Sequence, residues 1–516
     1  MTVLALLPLF HFALAPVSLL QGRLARRLSA LAVLVDAALV GWLLASIAGG
    51  GDLGIVMGEA AVGLGIRLVA DPLTIGFTLL TLLIEGALVA YLWSEAPRAY
   101  FYTLLHLLFG AVFSTLFTRD LFNIFVTLEL LTLVSFLLVG YERKARQVWA
   151  SLKYLVLASL GMSLYLIGVA LIYYHTGTLD LDAIAAGLPP GPVPRWVWLG
   201  SALLLSGIAV KSGVFLFSIW LPEAHARAHS AVSALLSGLV IKMGVVVLIG
   251  LAATFPVSVS LQVLGAVTGI LGLVYAITTD DLKRMLAYST LSQLGYVILG
   301  VGIGTAASLT AAGSYAVAHG LFKGLLFLAA GTAIREGGFR DIAPLIAQRG
   351  RVSRGVRLAL LVGTLGIVGL PPLAGFAAKS LLTHATAALP VQGVMFLMSL
   401  GTAAAFAKLG RLLWPGKGAW GSATANLSFI VLGLPVLFFL PLAWPVLPRA
   451  LAAAGRSPIP YAESLAAIVG GYLLHRWIRR RPRRALPQRF LRLEEGVMTI
   501  LSGFFLVLIL VWLQAR

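Results

Sequence analysis

Residues 210–244 read VKSGVFLFSIWLPEAHARAHSAVSALLSGLVIKMG, two apolar segments joined by a short stretch rich in proline, histidine and serine. Each apolar segment carries one lysine, Lys211 and Lys242, in surroundings that are otherwise almost wholly apolar. A charged side chain at the centre of a membrane helix costs about 2.5–3.5 kcal/mol on insertion scales, so such residues usually face a protein interior or a water-filled cavity. The stretch therefore predicts two membrane helices whose lysines have a function.

The composition of the whole chain is that of a membrane protein. Of its 516 residues, 60% are hydrophobic and 11% are charged, whereas about a quarter of the residues are charged in a typical soluble domain. Apolar segments of about 20 residues recur from end to end and give sixteen candidate spans. The N-terminal segment MTVLALLPLFHFALAPVSLL has no basic residues before its apolar run, so we expect it to be the first span and not a cleaved signal. The absence of cysteine excludes disulfides and thiol catalysis.

The distribution of basic residues predicts the orientation in the membrane. When the sixteen spans are threaded with the N-terminus outside, 26 of the 38 basic residues fall in inward loops, six in outward loops and six within spans. Inward loops of membrane proteins carry such an excess, so we expect both termini outside the cytoplasmic membrane. The net charge of +19 is then a sign of membrane orientation and not of nucleic-acid binding. The basic segment 476–492 is either an anchor at anionic lipid headgroups or a docking site for an acidic neighbour.

Lysine is used sparingly and at particular places. The chain has nine lysines and 29 arginines, and nearly all the arginines lie in predicted loops. Arginine stays protonated at essentially any protein site, whereas a lysine in an apolar site can release its proton near neutral pH. Six lysines fall inside predicted spans: Lys153, Lys211, Lys242, Lys323, Lys379 and Lys408. The four deeper ones (Lys211, Lys242, Lys323, Lys379) indicate proton movement, while Lys153 and Lys408 lie near span ends, where a side chain reaching the membrane surface is an equal alternative.

The same lysines indicate an internal repeat. They are separated by 58 and 31 positions on spans 6, 7 and 8, and by 56 and 29 positions on spans 11, 12 and 13. An offset of five helices reverses direction, so the fold class predicted is an all-α polytopic protein of about 14 core helices with two inverted five-helix repeats (spans 4–8 and 9–13) and two extra C-terminal spans. Proline and glycine interrupt both units, at WLPEAH and GLPPLAG. The predicted divisions are 1–95, 96–255, 256–415 and 416–516.

Other polar residues within the spans suggest partners for these lysines. Glu129 lies in an apolar helix and needs a partner, for which Lys211 is the obvious candidate. His319 and Lys323 are four residues apart and share a helix face, and Gln293 is a candidate to line a polar channel. His225 and His229, in the loop between spans 7 and 8, form either a water-lined entry or a solvent-exposed pair.

The remaining polar residues of the spans carry weaker signals. Asp36 and Glu85 lie outside the repeat, where a structural or subunit-contact role is at least as well supported as a functional one. The other histidines, His11, His106, His384 and His475, stand isolated in the sequence. No metal-ligand spacing stands out, and we expect Asp281, Lys283 and Arg284 to cap the start of span 10.

Several of these stretches together resemble the antiporter-like subunits of respiratory complex I, membrane-bound hydrogenases and Mrp-type Na⁺/H⁺ antiporters. The resemblance covers about residues 70–415, and within these families the sequence is most similar to the D subunit of Mrp antiporters. The motifs that carry it are DLFNIFVTLE, KSGVFLFSIWLPEAH, VSALLSGLVIKMG, DDLKRMLAYSTLSQLGY, HGLFKGLLFL and GLPPLAGFAAKSLL.

The resemblance implies roles for residues. Glu129 and Lys211 would form a pair that modulates proton affinity, Lys242 would be the first central relay, His319 and Lys323 would continue a buried polar axis, and Lys379 would connect it to one side of the membrane. Accessory positions are Lys153, Lys408, His225, His229 and Gln293. The expected partners are other membrane subunits, the lipid bilayer, H⁺ and, for a Na⁺/H⁺ antiporter, Na⁺, with no cofactor or metal held by this chain.

These features leave three functional hypotheses. The first is a proton-translocating subunit of a cation/proton antiporter. The second is an ion-pumping subunit of a complex I-like or hydrogenase complex, which would make the chain part of a redox-driven enzyme without catalytic chemistry of its own. The third is a structural subunit whose polar axis does not conduct, and the presence of every lysine and of Glu129 disfavours it.

Overall fold

A computed structural model describes residues 3–47, 53–58, 65–188, 193–386, 388–414, 418–438, 459–480 and 492–514. The described chain is built almost entirely of helices, as the sequence predicts. Their bounds are α1 Val3–Val17, α2 Gly22–Ile47, α3 Pro72–Glu95, α4 Ala99–Phe117, α5 Leu121–Val139, α6 Ala145–Thr176, α7 Leu181–Gly187, α8 Arg195–Lys211, α9 Trp220–Arg227, α10 Ser230–Leu235, α11 Ile241–Thr254, α12 Ser258–Thr278, α13 Leu282–Ile303, α14 Ala306–Gly337, α15 Ile342–Ala347, α16 Arg354–Val368, α17 Ala374–His384, α18 Leu389–Phe406, α19 Gly410–Leu413, α20 Ala423–Leu437, α21 Ile459–Arg479 and α22 Leu493–Gln514.

Eleven of the described helical segments are long and apolar enough to cross a membrane, and the shorter helices α1 and α20 are also apolar. The protein is therefore a multi-pass membrane protein. Two parts of the sequence-based prediction lie partly outside the described residues: positions 439–447 of the span expected at 427–447, and positions 481–491 of the basic segment 476–492.

One element was not expected. Strands β1 (Leu53–Met57) and β2 (Ile66–Ala70) form an antiparallel hairpin whose register runs from Leu53 opposite Ala70 to Met57 opposite Ile66. The hairpin is followed directly by α3, where the Asp71 side chain accepts from Thr74 N and Thr74 in turn caps the Asp71 backbone. Such a capping box satisfies amides that the first helical turn leaves unpaired.

The two halves of the core share a connection that repeats with an offset of 161 residues. Asp120 pairs with Asp180 through a short antiparallel bridge, and Asp281 pairs with Asp341 in the same way. In each half the first aspartate caps the long helix that follows it, α5 or α13. These paired connections agree with the predicted repeat, whose boundaries at 96–255 and 256–415 remain predictions.

The most deeply buried helices lie at the centre of the bundle. The segment Ser230–Thr254, which comprises α10, one π-helical turn at Leu236–Val240 and α11, is completely buried in its apolar window, and α13 and α14 are nearly so. By contrast, α2 and α22 bury little of their surface and form part of the outside. Because a charge buried in this centre cannot reach lipid headgroups, the lysines of α11 and α14 are held by protein contacts.

Candidate functional site

Lys211 and Glu129 lie together, as the sequence predicts. Lys211 is the last residue of α8, and its Nζ lies 3.5 Å from Glu129 Oε1 on α5. The same Nζ donates a short hydrogen bond to the Thr132 hydroxyl, one turn further along α5. The Lys211 side chain is 7% exposed and that of Glu129 is 23% exposed. The pair is thus loose and lies at the edge of the bundle, where Lys211 has a neutral acceptor beside the carboxylate.

The chain break after Lys211 depends on glycine. Gly213 has φ +75°, a conformation that side chains rarely adopt, and it turns the chain from α8 into a short 3₁₀ turn at Phe215–Phe217. On the facing helix, a Cβ on Gly244 would lie 2.7 Å from the Lys211 carbonyl carbon. Helix α11, which carries Lys242, therefore approaches the break closely because position 244 has no side chain.

Lys242 is completely buried and contacts a second group that can exchange protons. Its Nζ lies 2.7 Å from Nδ1 of His319 on α14. It also donates a short hydrogen bond to the Ser237 carbonyl oxygen, which belongs to the π-helical turn. A π turn shifts the hydrogen-bond ladder and such turns are frequent at functional sites. Here it supplies an acceptor for a lysine that would otherwise have few.

Lys323 follows His319 by one helical turn on α14, on the same face. Its Nζ donates to the Leu286 carbonyl oxygen at 2.7 Å and to the Ser289 hydroxyl at 2.5 Å, both on α13. Both His319 and Lys323 are fully buried. No charged partner touches Lys323 among the described hydrogen bonds, so its acceptors are all neutral.

Lys379 lies beyond the second chain break. Its Nζ donates to the last carbonyls of α16, Ile367 at 3.1 Å and Val368 at 3.3 Å, and stands 5.3 Å from the centre of the Tyr296 ring. It borders a cavity of about 320 Å³ whose wall includes Glu463 of α21. The deepest lysines are enclosed by protein, whereas Lys379 faces a space large enough for several water molecules.

Three accessory positions are held by contacts of different kinds. Lys153 Nζ forms a buried ion pair with Glu223 Oε2 at 2.8 Å, so it does not extend to the membrane surface. Lys408 Nζ donates to three carbonyl oxygens at the end of α12, from Ala276, Ile277 and Thr279, at 2.6–3.1 Å. Gln293 joins three helices, because it donates to Thr402 on α18 and accepts a short hydrogen bond from Tyr315 on α14.

The two loop histidines have different environments. His225 is fully buried and stacks on Phe327 with ring centres 4.8 Å apart, so of the two alternatives the solvent-exposed one is wrong for this residue. His229 borders a cavity of about 470 Å³ lined mainly by basic side chains. Burial and the neighbouring Lys283 ammonium lower the pKa of His229 to about 4, and its Nε2 lies 3.2 Å from Glu95. At neutral pH His229 is therefore uncharged.

Comparison with known proteins places this geometry in a family. Residues 118–406 match the family described as NADH:quinone oxidoreductase/Mrp antiporter, transmembrane region. This range covers more than half of the chain and contains all six residues from Glu129 to Lys379 that the sequence assigns to proton translocation. The chain belongs to this family.

Two curated relatives illustrate the breadth of the NADH:quinone oxidoreductase/Mrp antiporter family. The N subunit of NADH-quinone oxidoreductase from Desulforudis audaxviator is 34% identical over 331 residues, which cover 61% of this chain and 65% of that protein. The D subunit of the Na⁺/H⁺ antiporter from Alkalihalophilus pseudofirmus is 30% identical over 363 residues, which cover 66% of this chain and 72% of that protein. The match thus spans just under two thirds of the Desulforudis relative.

Two solved structures share the family fold. A chain of the Mrp complex from Dietzia sp. DQ12-45-1b superposes with a TM-score of 0.76 at 23% identity, covering 91% of this chain and all of that one. A chain of the membrane-bound sulfane sulfur reductase, an archaeal respiratory membrane complex, gives a TM-score of 0.78 at 22% identity with the same coverage. At these identities the likeness concerns the fold.

Sequence reasoning missed or misplaced several residues of this family member. The sequence indicated a break at the proline of WLPEAH but gave no signal for Glu223 in the same stretch, which pairs with Lys153. Lys283, expected to cap the start of span 10, is 6% exposed and donates to the Ala228 carbonyl oxygen at 2.7 Å. His11 and His106, which stand isolated in the sequence, lie side by side in the fold with their Nδ1 atoms 3.1 Å apart.

Proposed function

We propose that this chain is a proton-translocating subunit of a multi-subunit cation/proton antiporter, similar to the D subunit of Mrp-type Na⁺/H⁺ antiporters. The observation that carries the proposal is the direct contact between Lys242 and His319 in the fully buried centre of the bundle. Two groups that each bind and release protons are held there at 2.7 Å, where a permanently charged pair would be costly. A purely structural contact would not require this pair of residue types.

The remaining residues extend the path on either side. Glu129 would set the protonation of Lys211, because a carboxylate at 3.5 Å favours the ammonium form and its departure favours release of the proton. Lys323 would pass the proton on from the buried centre, and Lys379 would exchange it with water in its cavity. Between these groups protons would move along water molecules.

The setting of the chain belongs to the same proposal. It would lie in the cytoplasmic membrane with both termini outside and assemble with other membrane subunits. The name of the Alkalihalophilus antiporter relative and the fold shared with a chain of the Mrp complex support this setting. Whether Na⁺ is the exchanged cation is open to direct measurement.

A second candidate is an ion-pumping subunit of a redox-driven complex related to complex I or to membrane-bound hydrogenases. The relative named as the N subunit of NADH-quinone oxidoreductase and the fold shared with a chain of the sulfane sulfur reductase favour it. The proteins that co-purify with this chain distinguish the two candidates, because redox-driven complexes contain flavin, iron–sulfur or metal centres in partner subunits. Purification of the native complex through a tag on this chain is the appropriate experiment.

The proton path is tested in the assembled complex. Lys211→Ala and Glu129→Ala should each reduce coupled proton transport in membrane vesicles to the background level, since either change removes one half of the pair at the path's entrance. Matched controls are Lys144→Ala and Glu494→Ala, which alter an exposed lysine and an exposed glutamate. Co-purification of the partner subunits confirms assembly of each variant. Near-normal transport by an assembled Lys211 or Glu129 variant would contradict the proposal.

A further inference from the structure

A second group of buried titratable residues lies in the N-terminal helices, away from the lysines. It consists of His11 on α1, Asp36 on α2, Glu85 on α3 and His106 on α4, each no more than 1% exposed. One potential ligand atom from each of His11, Asp36 and Glu85 lies within 4.8 Å of the other two. We call this group the N-terminal cluster. Its members are 21 to 95 positions apart in the chain, so no local sequence motif predicts the cluster.

The N-terminal cluster is distinct from the lysine path. Ile84, the residue before Glu85, faces that path: a Cβ on Gly238 of the π-helical turn would lie 2.8 Å from Ile84 Cδ1. Successive residues of a helix point about 100° apart, so Glu85 points to a different side of α3. The cluster and the path are thus on different sides of the same helix.

The hydrogen bonds of the N-terminal cluster assign the tautomer of each ring. The Ser29 hydroxyl donates its hydrogen to the Ala25 carbonyl oxygen at 3.0 Å. Nε2 of His106 lies 3.1 Å from the Ser29 hydroxyl oxygen and must therefore donate a hydrogen to it. His106 has only a hydroxyl and an imidazole as polar partners, which favours its neutral form, and its Nδ1 is then an acceptor. That Nδ1 lies 3.1 Å from Nδ1 of His11, which must carry the donated hydrogen.

When His11 is neutral, this assignment leaves Nε2 of His11 with a bare lone pair that faces a carboxylate. It lies 2.8 Å from Asp36 Oδ2, so these two atoms need a proton or a metal ion between them. Among the described residues, no donor lies within hydrogen-bond distance of Asp36 Oδ1 or Glu85 Oε2, although both are buried, and the two carboxyl groups lie close enough to interact with each other. A group of convergent acceptors in an apolar interior is stable when a positively charged species lies between them.

The charges favour a divalent ion. In the described part of the chain, neither Asp36 nor Glu85 pairs with a lysine or arginine, and the basic side chain beside Asp36 is the imidazole of His11, which is uncharged in this assignment. Two carboxylates and a neutral imidazole are balanced by a charge of +2. One imidazole nitrogen with two carboxylate oxygens is a donor set that suits Zn²⁺ and its neighbours in the first transition row. Mg²⁺ and Ca²⁺ prefer oxygen donors alone.

We propose that His11, Asp36 and Glu85 form a binding site for a divalent transition-metal ion of the zinc class. His106 is the positioning residue, because it holds the Nδ1–H of His11 and so directs Nε2 towards the metal. Metal-binding histidines almost always have such a partner on the second nitrogen. The ion would tie α1, α2 and α3 together, and the proposal does not depend on the proposed function.

The test measures metal in the native complex, purified through a tag on this chain. After treatment with a chelator, incubation with Zn²⁺ and removal of the excess, elemental analysis should find about one Zn²⁺ per chain in the wild type, attributable to this cluster. Asp36→Asn and Glu85→Gln should lose this ion, whereas Glu494→Gln should keep it, since Glu494 is exposed at the start of α22. Co²⁺ in place of Zn²⁺ should give visible absorption bands that the same two variants lack.

The positioning role of His106 gives an independent measurement. His106→Ala should weaken Zn²⁺ binding by about 10- to 100-fold without removing a ligand. If the Asp36 or Glu85 variants fold poorly, the wild type by itself still tests the proposal. A loaded wild type with no bound Zn²⁺ and no Co²⁺ bands would overturn it. The N-terminal cluster would then be a neutral pair of protonated carboxyl groups. Equal metal content in wild type and an assembled Glu85→Gln variant would also overturn it.

Discussion

At the residue scale, the chain separates two uses of positive charge. The described arginines lie in the connections or near helix ends. The lysines of the core contact groups of very different character: a carboxylate for Lys211, an imidazole for Lys242 and helix-end carbonyls for Lys408. Only the first two contacts involve a partner that can exchange or respond to a proton. The proposed function therefore assigns proton release to Lys211 and Lys242, whereas Lys408 has the geometry of a helix cap.

This distinction predicts opposite outcomes for the same substitution. Lys242→Arg keeps a positive charge that cannot leave, so proton transport by the assembled complex should fall at least about tenfold. Lys408→Arg leaves donors for the three carbonyls of α12 and should retain most of the activity. Both are measured as proton flux in vesicles. Equal activities of the two variants would show that release of the proton from Lys242 is not required.

At the scale of elements, the two breaks are enclosed by helices that the repeat does not include. Ser464 on α21 donates to the Gly369 carbonyl oxygen at 2.5 Å, at the end of α16. On α22, a Cβ at Gly503 would lie 2.6 Å from the Phe217 ring at the break after α8. The extra C-terminal helices therefore each pack on one break. The sequence predicted both helices but indicated no role for them.

The second break is the more sensitive to added volume. A Cβ on Gly375 would lie 1.8 Å from the Gly366 carbonyl oxygen, a backbone atom that no side-chain rotation can move away. Gly375→Ala should therefore shift α17 together with Lys379 and destabilise the fold by about 1–3 kcal/mol. The melting temperature of the purified complex should fall by several degrees and transport should fall with it.

Gly393 provides the control for this prediction. It lies in helix α18 beside the cavity of about 320 Å³ that Lys379 borders, and a Cβ there would have no atom within 4 Å. Gly393→Ala should leave the melting temperature unchanged or raise it slightly, because alanine favours the helix by up to about 1 kcal/mol over glycine. A Gly375→Ala variant as stable as Gly393→Ala would show that α17 can move at no cost.

At the scale of the whole molecule, the predicted orientation can be tested at connections that the structure places between helices. Lys144 lies between α5 and α6, in a predicted inward loop, and its side chain is 73% exposed. Ala186 lies on the exposed side of α7, in the predicted outward connection. The two positions stand at opposite ends of α6, a helix of 32 residues.

Because the chain contains no cysteine, single cysteines report this orientation without background. In intact cells, a thiol reagent that cannot cross the membrane should label Ala186→Cys and leave Lys144→Cys unlabelled. In inverted membrane vesicles the labelling should be reversed. The opposite result would mean that the whole topology is inverted, and labelling of both from one side would mean that α6 does not cross the membrane.

The sequence by itself determined the helical class, the positions of the breaks and the lysines within the helices. These features are local: hydropathy over about 20 residues, a proline or glycine, and the cost of a charge in apolar surroundings all act along the chain. The pair of Lys211 with Glu129 was also predictable, because a lone acid in an apolar helix needs a cation.

Only the tertiary structure decided which side chains meet between helices. Contacts such as Lys153 with Glu223, or His11 with Asp36 and His106, depend on the rotation of each helix and on which neighbour it packs against. Those choices follow from close approaches at small residues, for example Gly244 against the Lys211 backbone, and no periodicity of a single helix encodes them. The lysines of the proposed path could therefore be located within helices from the sequence, whereas the N-terminal cluster appears only when four helices are assembled.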